Sequence, residues 1–161
     1  MKIVADTNVL ITYFWKTSAI WGIVYKNVRL YSPVTALEEI DEHQEEIMRK
    51  AKLSKKEYAD IRRQLEGWVN FIPIEEYRDC LKRAAELAGS LTEKERMEML
   101  DDADFLALSI KLDCPLWTND ALLRKQLQVI VFSTKDMVAL VEYDEGTALS
   151  VDDEKTSERK A

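Results

Sequence analysis

One histidine, two cysteines, three prolines and four glycines are all that 161 residues contain of these types, and each scarcity excludes something. A single histidine, His43, rules out a His-rich zinc centre, and a Ser-His-Asp triad could draw on this residue alone. His43 sits in Glu42-His43-Gln44-Glu45-Glu46, a charge-rich helical stretch expected to face water. Cys80 and Cys114 are far apart without metal-ligand spacing. That points to a reducing, cytoplasmic compartment rather than a disulfide framework. So little Gly and Pro leaves scant material for long flexible insertions. No apolar run approaches the ~20 residues of a membrane span. The chain opens on a β-like run with Lys2 as its lone early cation, so no secretory leader and no membrane partner are expected. Cations are the minority, 23 Lys and Arg against 30 Asp and Glu, for a net charge of −7. That balance argues against a broad basic face gripping duplex nucleic acid. It does not exclude an acidic site that reaches phosphates through bound cations.

What is present is a core-forming sequence: 47% of residues are hydrophobic and 33% charged, as in an ordinary globular domain. At this length one domain is expected, burying roughly 70% of its unfolded surface. Short β-like runs at Lys2–Ala5, Val28–Tyr31, Phe71–Ile74, Pro115–Thr118 and Val129–Phe132 alternate with helical patterns. That alternation predicts an α/β fold with a mostly parallel sheet. Residues 7–25 read as one or two almost wholly apolar helices broken near Lys16-Thr17-Ser18. Ser32-Pro33 opens a helix carrying Val34, Leu37, Ile40, Ile47 and Met48, with Pro33 in its first turn. Ser54-Lys55-Lys56-Glu57 has the capping-box pattern and opens another, bearing Tyr58, Ile61, Leu65 and Trp68. Residues 75–88 read as a helix, 90–100 have no clear pattern, and an acidic Asp101-Asp102-Ala103-Asp104 leads into a buried-looking helix over 105–112. A last helix is expected over 133–141. The polar residues 144–161 have no apolar period and read as a disordered or partner-dependent tail.

Acidic residues recur at equivalent points of this alternation. Asp6 follows the first strand, Glu38 or Glu39 lies in the first turns after the second, and Asp120 follows the Trp117 strand. Asp101 and Asp104 open the preceding helix. In a parallel sheet, strand C-termini and the helix N-termini that follow share one edge, where ligands bind. Asp6, Glu38 or Glu39, and Asp120 would meet there, and Asp104 need only project from the first turn of its helix. Each acid has a plainer role: a helix cap for Asp6, a dipole partner for Asp104, a solvated side chain for Glu38 or Glu39, a turn residue for Asp120. Four together are harder to explain so. Clustered carboxylates repel, and keeping them ionised needs a cation. With no His or Cys among them the donors are hard oxygens, suited to Mg²⁺ or Mn²⁺ rather than Zn²⁺. Such sites serve metal-assisted phosphodiester hydrolysis.

The ordered set Ile3-Val4-Ala5-Asp6-Thr7-Asn8-Val9-Leu10, Ser32-Pro33-Val34-Thr35-Ala36-Leu37-Glu38-Glu39-Ile40, Asp101-Asp102-Ala103-Asp104-Phe105-Leu106-Ala107-Leu108-Ser109 and Pro115-Leu116-Trp117-Thr118-Asn119-Asp120 resembles the PIN-domain ribonucleases, which include VapC-type toxins of toxin–antitoxin pairs. The resemblance runs from Met1 to about Val141. It implies a three-layer α/β/α domain over residues 1–143, followed by the 144–161 tail. It selects Glu39 over Glu38, because the family's acid directly precedes an aliphatic residue. It selects Asp104 over Asp101 and Asp102, because the family's third acid begins an Asp-x-x-Ala helix. It therefore implies Asp6, Glu39, Asp104 and Asp120 as catalytic, metal-coordinating residues. Asn8 and Thr118 would support them, with Asp101 an auxiliary acid. The charged helical stretch 42–67 has no close match and is expected to shape a substrate or partner groove.

The implied activity is Mg²⁺- or Mn²⁺-dependent endoribonucleolytic cleavage of single-stranded or structured RNA, leaving a 5′ phosphate. The implied partners are RNA, an antitoxin protein and a second copy of the chain. Arg49, Lys50, Lys52, Lys55, Lys56, Arg62 and Arg63 could touch the RNA backbone, although a solvated face explains them too. A rival reading is a non-catalytic PIN-like module, with the apolar 10–25 stretch and its Trp15 and Trp21 as a partner interface rather than core. A phosphoacceptor receiver domain ranks lower, because Asp6-Thr7-Asn8 supplies one acid where that chemistry wants a pair.

Overall fold

The computed structural model describes residues 1–24, 26 and 28–143. The expected tail, and Tyr25 of the apolar stretch, lie outside the described residues.

Five short strands form one parallel sheet: β1 (Lys2–Ala5), β2 (Arg29–Pro33), β3 (Val69–Ile72), β4 (Leu116–Trp117) and β5 (Val131–Phe132), in the order β3-β2-β1-β4-β5. β1 lies at the centre and is wholly buried beyond Lys2, as expected of a strand covered on both faces. Its Ile3 and Val4 stand beside Leu30 and Tyr31 of β2, and Val4 and Ala5 beside Leu116 and Trp117 of β4. The Ser32 hydroxyl, fully buried, donates to the Ala5 carbonyl at 2.9 Å and ties the ends of β1 and β2 together.

The apolar stretch after β1 folds as α1 (Thr7–Ile11), a 3₁₀ turn at Thr12–Phe14 and α2 (Ala19–Val24). Leu10, Tyr13, Phe14, Ile20 and Ile23 are at most 2% exposed. These side chains are thus core of this chain, while Trp15 and Trp21 are half-buried. Tyr13 stacks on Trp21 at 4.2 Å and Phe14 on Tyr58 at 5.0 Å between ring centroids.

The helix expected from Pro33 to Met48 is two helices, α3 (Val34–Glu42) and α4 (Gln44–Ala51), with His43 at the break. Pro33 ends β2 and caps α3 from outside its first turn. α5 (Lys55–Trp68) carries the expected capping box, Ser54 and Glu57 bonding each other's backbone N–H. Residues 75–88 are not one helix. Two 3₁₀ turns, Ile74–Glu76 and Arg78–Cys80, flank Tyr77, and α6 (Leu81–Glu86) follows. Tyr77 is fully buried with φ −124°, so anchoring its ring in the core breaks the helical path. The pattern-poor segment forms α7 (Glu93–Asp101), started by Thr92, whose hydroxyl accepts from the Glu95 N–H at 3.3 Å. α8 (Ala103–Leu112) packs against β1, β2 and β4. A final helix, α9, spans residues 134–143. Ser133 and Asp136 bond each other's backbone N–H at 3.1 and 2.8 Å at its start.

The connections reverse across β1. Chain leading away through β2 to β3 carries α1 to α5, and the return to β4 carries α6 to α8. Right-handed crossovers place these two groups on opposite faces of the sheet, giving three layers. Two adjacent loops therefore part at the carboxyl ends of β1 and β4, the position where open α/β sheets bind ligands.

Candidate active site

Strand register fixes the first two groups. Beyond the Ala5–Trp117 pair, the Asp6 N–H donates to the Trp117 carbonyl at 3.1 Å and the Thr118 N–H to the Phe132 carbonyl at 3.0 Å. Asp6 and Thr118 thus emerge side by side from β1 and β4. The Thr118 hydroxyl, fully buried, donates to Asp6 Oδ2 and accepts from the Asp120 N–H at 3.0 Å. One hydroxyl therefore joins the two strand-end acids. Asp6 Oδ1 accepts from the Val9 N–H at 2.8 Å, so Asp6 is itself the N-cap of α1. The cap and the site acid are one residue, and neighbouring Thr7 keeps a buried hydroxyl with no partner. Asp120 Oδ1 accepts from the Leu122 N–H at 2.9 Å and is otherwise exposed.

Other carboxylates bear on this pair through their charge. Burial pushes the Asp6 carboxyl above its ordinary value, against the Thr118 and Val9 hydrogen bonds, and the charges of Asp120 and Glu39 push it the same way. Glu39, exposed on α3, is near enough for its charge to bear on both Asp6 and Asp102.

The expected third acid keeps its place in the first turn of its helix and packs toward α3. Asp104 lies in the first turn of α8, where its Oδ2 accepts from the Thr35 hydroxyl at 3.3 Å, and it neighbours the buried Tyr77 hydroxyl. Burial and the Asp104 charge push that phenol up to about 12. Asp102, which the family resemblance passed over, is half-buried at the junction of α7 and α8. Its carboxyl is pushed up to about 6, by burial first and then by the charges of Asp120, Asp6, Glu39 and Asp101. Asp6, Glu39, Asp102 and Asp120 thus form one field, and Asp104 braces α8 against α3. Asp101 is exposed, and its charge adds the smallest of these pushes on Asp102. Asn8 is exposed on α1 and lines a neighbouring cavity with Trp15 and His43.

Four oxygen-donor side chains that hold one another's charge in check suit a hard divalent cation. Among the described residues, no three His, Cys, Asp or Glu stand close enough to hold a metal ion between them. Mg²⁺ does not require three, since it keeps several waters and takes one or two carboxylates directly.

A parallel sheet with polar side chains at its carboxyl edge places this chain in the class of open α/β folds that bind ligands at that edge. Within that class the chain belongs to the PIN-domain family, whose model matches residues 4–130; PIN domains are in general nucleases. No curated protein sequence matches it. Among solved structures, the chain is similar to one in the crystal structure of VapBC2 from Rickettsia felis bound to a DNA fragment from their promoter. The TM-score is 0.56 at 15% identity, covering 83% of this chain and 98% of that one. At that identity the likeness concerns the fold.

Proposed function

We propose that this protein is a Mg²⁺- or Mn²⁺-dependent endoribonuclease and the toxin member of a toxin–antitoxin pair. The observation that carries the reading is the Thr118 hydroxyl joining Asp6 to Asp120 at the sheet edge, within the field of Glu39 and Asp102. Asp6, Glu39, Asp102 and Asp120 are the residues that would hold the ion, with Asp104 a positioning residue for α8. When bound, such an ion supplies Lewis acidity toward a phosphoryl oxygen and acidifies water. The chain's own contribution is preorganisation. Asp6 has both carboxylate oxygens fixed by the α1 cap and by Thr118, so its orientation is set before substrate arrives. Thr118 carries that orientation to the Asp120 backbone.

In this reading the partners are RNA and a protein antitoxin, two copies of the chain pair, and the compartment is the cytoplasm. Among the described residues no helix is long and apolar enough to cross a membrane. Purified protein with labelled RNA is expected to cleave with Mn²⁺ or Mg²⁺ and to stop with EDTA or as Asp6→Asn. Cleavage surviving both changes would sink the proposal. The rival, a non-catalytic PIN-like module, draws on the finding that among the described residues no three His, Cys, Asp or Glu stand close enough to hold a metal ion. It predicts no heat on titration with Mn²⁺, where the nuclease reading predicts Asp6-dependent binding.

A further inference from the structure

We propose that the cavity between α1 and α4, beside the acid edge, is a nucleobase subsite that takes one unpaired nucleotide. Its assignment to a substrate rests on the nuclease reading; its choice of ligand rests on its own chemistry. The cavity has a volume of about 190 Å³, room for a single base. Its apolar lining is Ile11, Trp15 and Ile47, and its polar lining is Asn8, His43, Glu46 and Lys50.

Two elements connect it to the acids. Asn8 belongs to the helix that Asp6 caps, two residues on. His43 lies one turn after Glu39, its N–H donating to the Glu39 carbonyl at 3.1 Å. The cavity thus shares α1 with Asp6 and adjoins the helix that bears Glu39, so a strand whose phosphate reached those acids would lead its neighbouring nucleotide toward this opening. Trp15, half-buried, offers the kind of π face on which unpaired bases stack. Asn8 carries both a donor and an acceptor for a base edge. Glu46 Oε1 holds Lys50 Nζ at 2.6 Å, and Glu46 Oε2 lies 3.6 Å from His43 Nδ1. That contact keeps Lys50 at the rim, where an ammonium serves a backbone phosphate. A partner helix lying in a groove would need a continuous apolar face; here polar side chains outnumber apolar ones.

The test compares a short single-stranded RNA with a matched abasic ribose-phosphate oligomer, both bound to the full chain in EDTA and followed by tryptophan fluorescence. The base-bearing oligomer is expected to bind about tenfold more tightly and to quench fluorescence. Trp15→Leu is expected to remove that advantage, whereas Lys50→Ala weakens both oligomers alike. Equal binding of the two oligomers by the wild-type chain overturns the subsite without recourse to any variant. So does unchanged base-dependent quenching in Trp15→Leu. Equal binding accompanied by protection of the cavity in a complex with a protein would assign it to a protein partner and also overturn the proposal. Base-dependent quenching without Mn²⁺-dependent cleavage would leave the subsite standing and remove the nuclease reading; cleavage with base-independent binding would do the reverse.

Discussion

Asp6 serves two purposes with its two oxygens, and substitutions separate them. Asn keeps a side-chain oxygen for the Val9 N–H and removes a buried charge, but its NH₂ leaves the Thr118 hydroxyl without an acceptor, so Asp6→Asn is expected to lose Mn²⁺-dependent cleavage while staying within about 1 kcal/mol of wild-type stability. Asp6→Ala also loses the cap and is expected to lower stability by about 1 kcal/mol, read by denaturant melts. The third acid gives a sharper contrast. Asp102→Asn is expected to lower activity by at least the roughly 10- to 100-fold that even supporting groups of a metal site are worth. Asp104→Asn keeps a side-chain oxygen for the Thr35 hydroxyl, so it is expected to stay within about 1 kcal/mol of wild-type stability and to keep Mn²⁺ binding by calorimetry. The reverse ranking would return the site to Asp104. The sequence could not separate these two. They are two residues apart, so on an α-helix they diverge by roughly 200°, and only a helical phase tells which one faces the site. α8 supplies no phase, because Phe105 through Ser109 are all buried and leave no polar stripe. The usable signal was the helix break at Asp102, inside a run of acids that reads as a single cap.

Elements were legible where local chemistry punctuates them. The Ser54–Glu57 capping box starts α5 as its spacing predicts, and Lys16-Thr17-Ser18 does interrupt the first apolar stretch. Elements shaped by distant packing were not. His43 ends α3 with φ −95° and ψ 12°, although the surrounding residues suit a continuous helix. Tyr77 divides the 75–88 segment because its ring belongs in the core. The first of these breaks has a consequence for function, since the reorientation at His43 creates the cavity wall facing α1. α5 anchors this layer through Tyr58, which stacks on Phe14 and whose hydroxyl donates to the Ile40 carbonyl at 3.4 Å. Ser54→Ala removes the α5 cap and is expected to cost about 1 kcal/mol by urea melts, leaving Mn²⁺ affinity at its wild-type value. A matching loss of affinity would show that the helical layer positions Glu39 more tightly than its exposed side chain suggests.

For the whole molecule, acids gathered at one edge of an already acidic chain are a stability cost that pH and metal both relieve. Asp102 has an ordinary carboxyl value of 3.8 and is raised to about 6 in the fold. Between those values the folded chain holds a proton that the unfolded chain releases, so stability falls as pH rises through the window and the loss is complete above about pH 6. Asp6 is shifted in the same direction. Carboxylates lowered by partners, such as Glu46, Glu57, Asp79, Glu95 and Asp136, act oppositely. Their stabilisation is already present above their ordinary values, 3.8 for Asp and 4.5 for Glu, so it leaves the upper half of the window to the site acids. In EDTA the wild-type melting temperature is therefore expected to drop from pH 5 to pH 7, and the drop to shrink in Asp102→Asn. Mn²⁺ at about 100 times its Kd adds roughly 2.7 kcal/mol to a chain that binds it only when folded. Below pH 6 it must displace the Asp102 proton, so the thermal gain should be smaller at pH 5 than at pH 7.5. A Mn²⁺ gain independent of pH and undiminished in Asp102→Asn would place the cation elsewhere on the molecule.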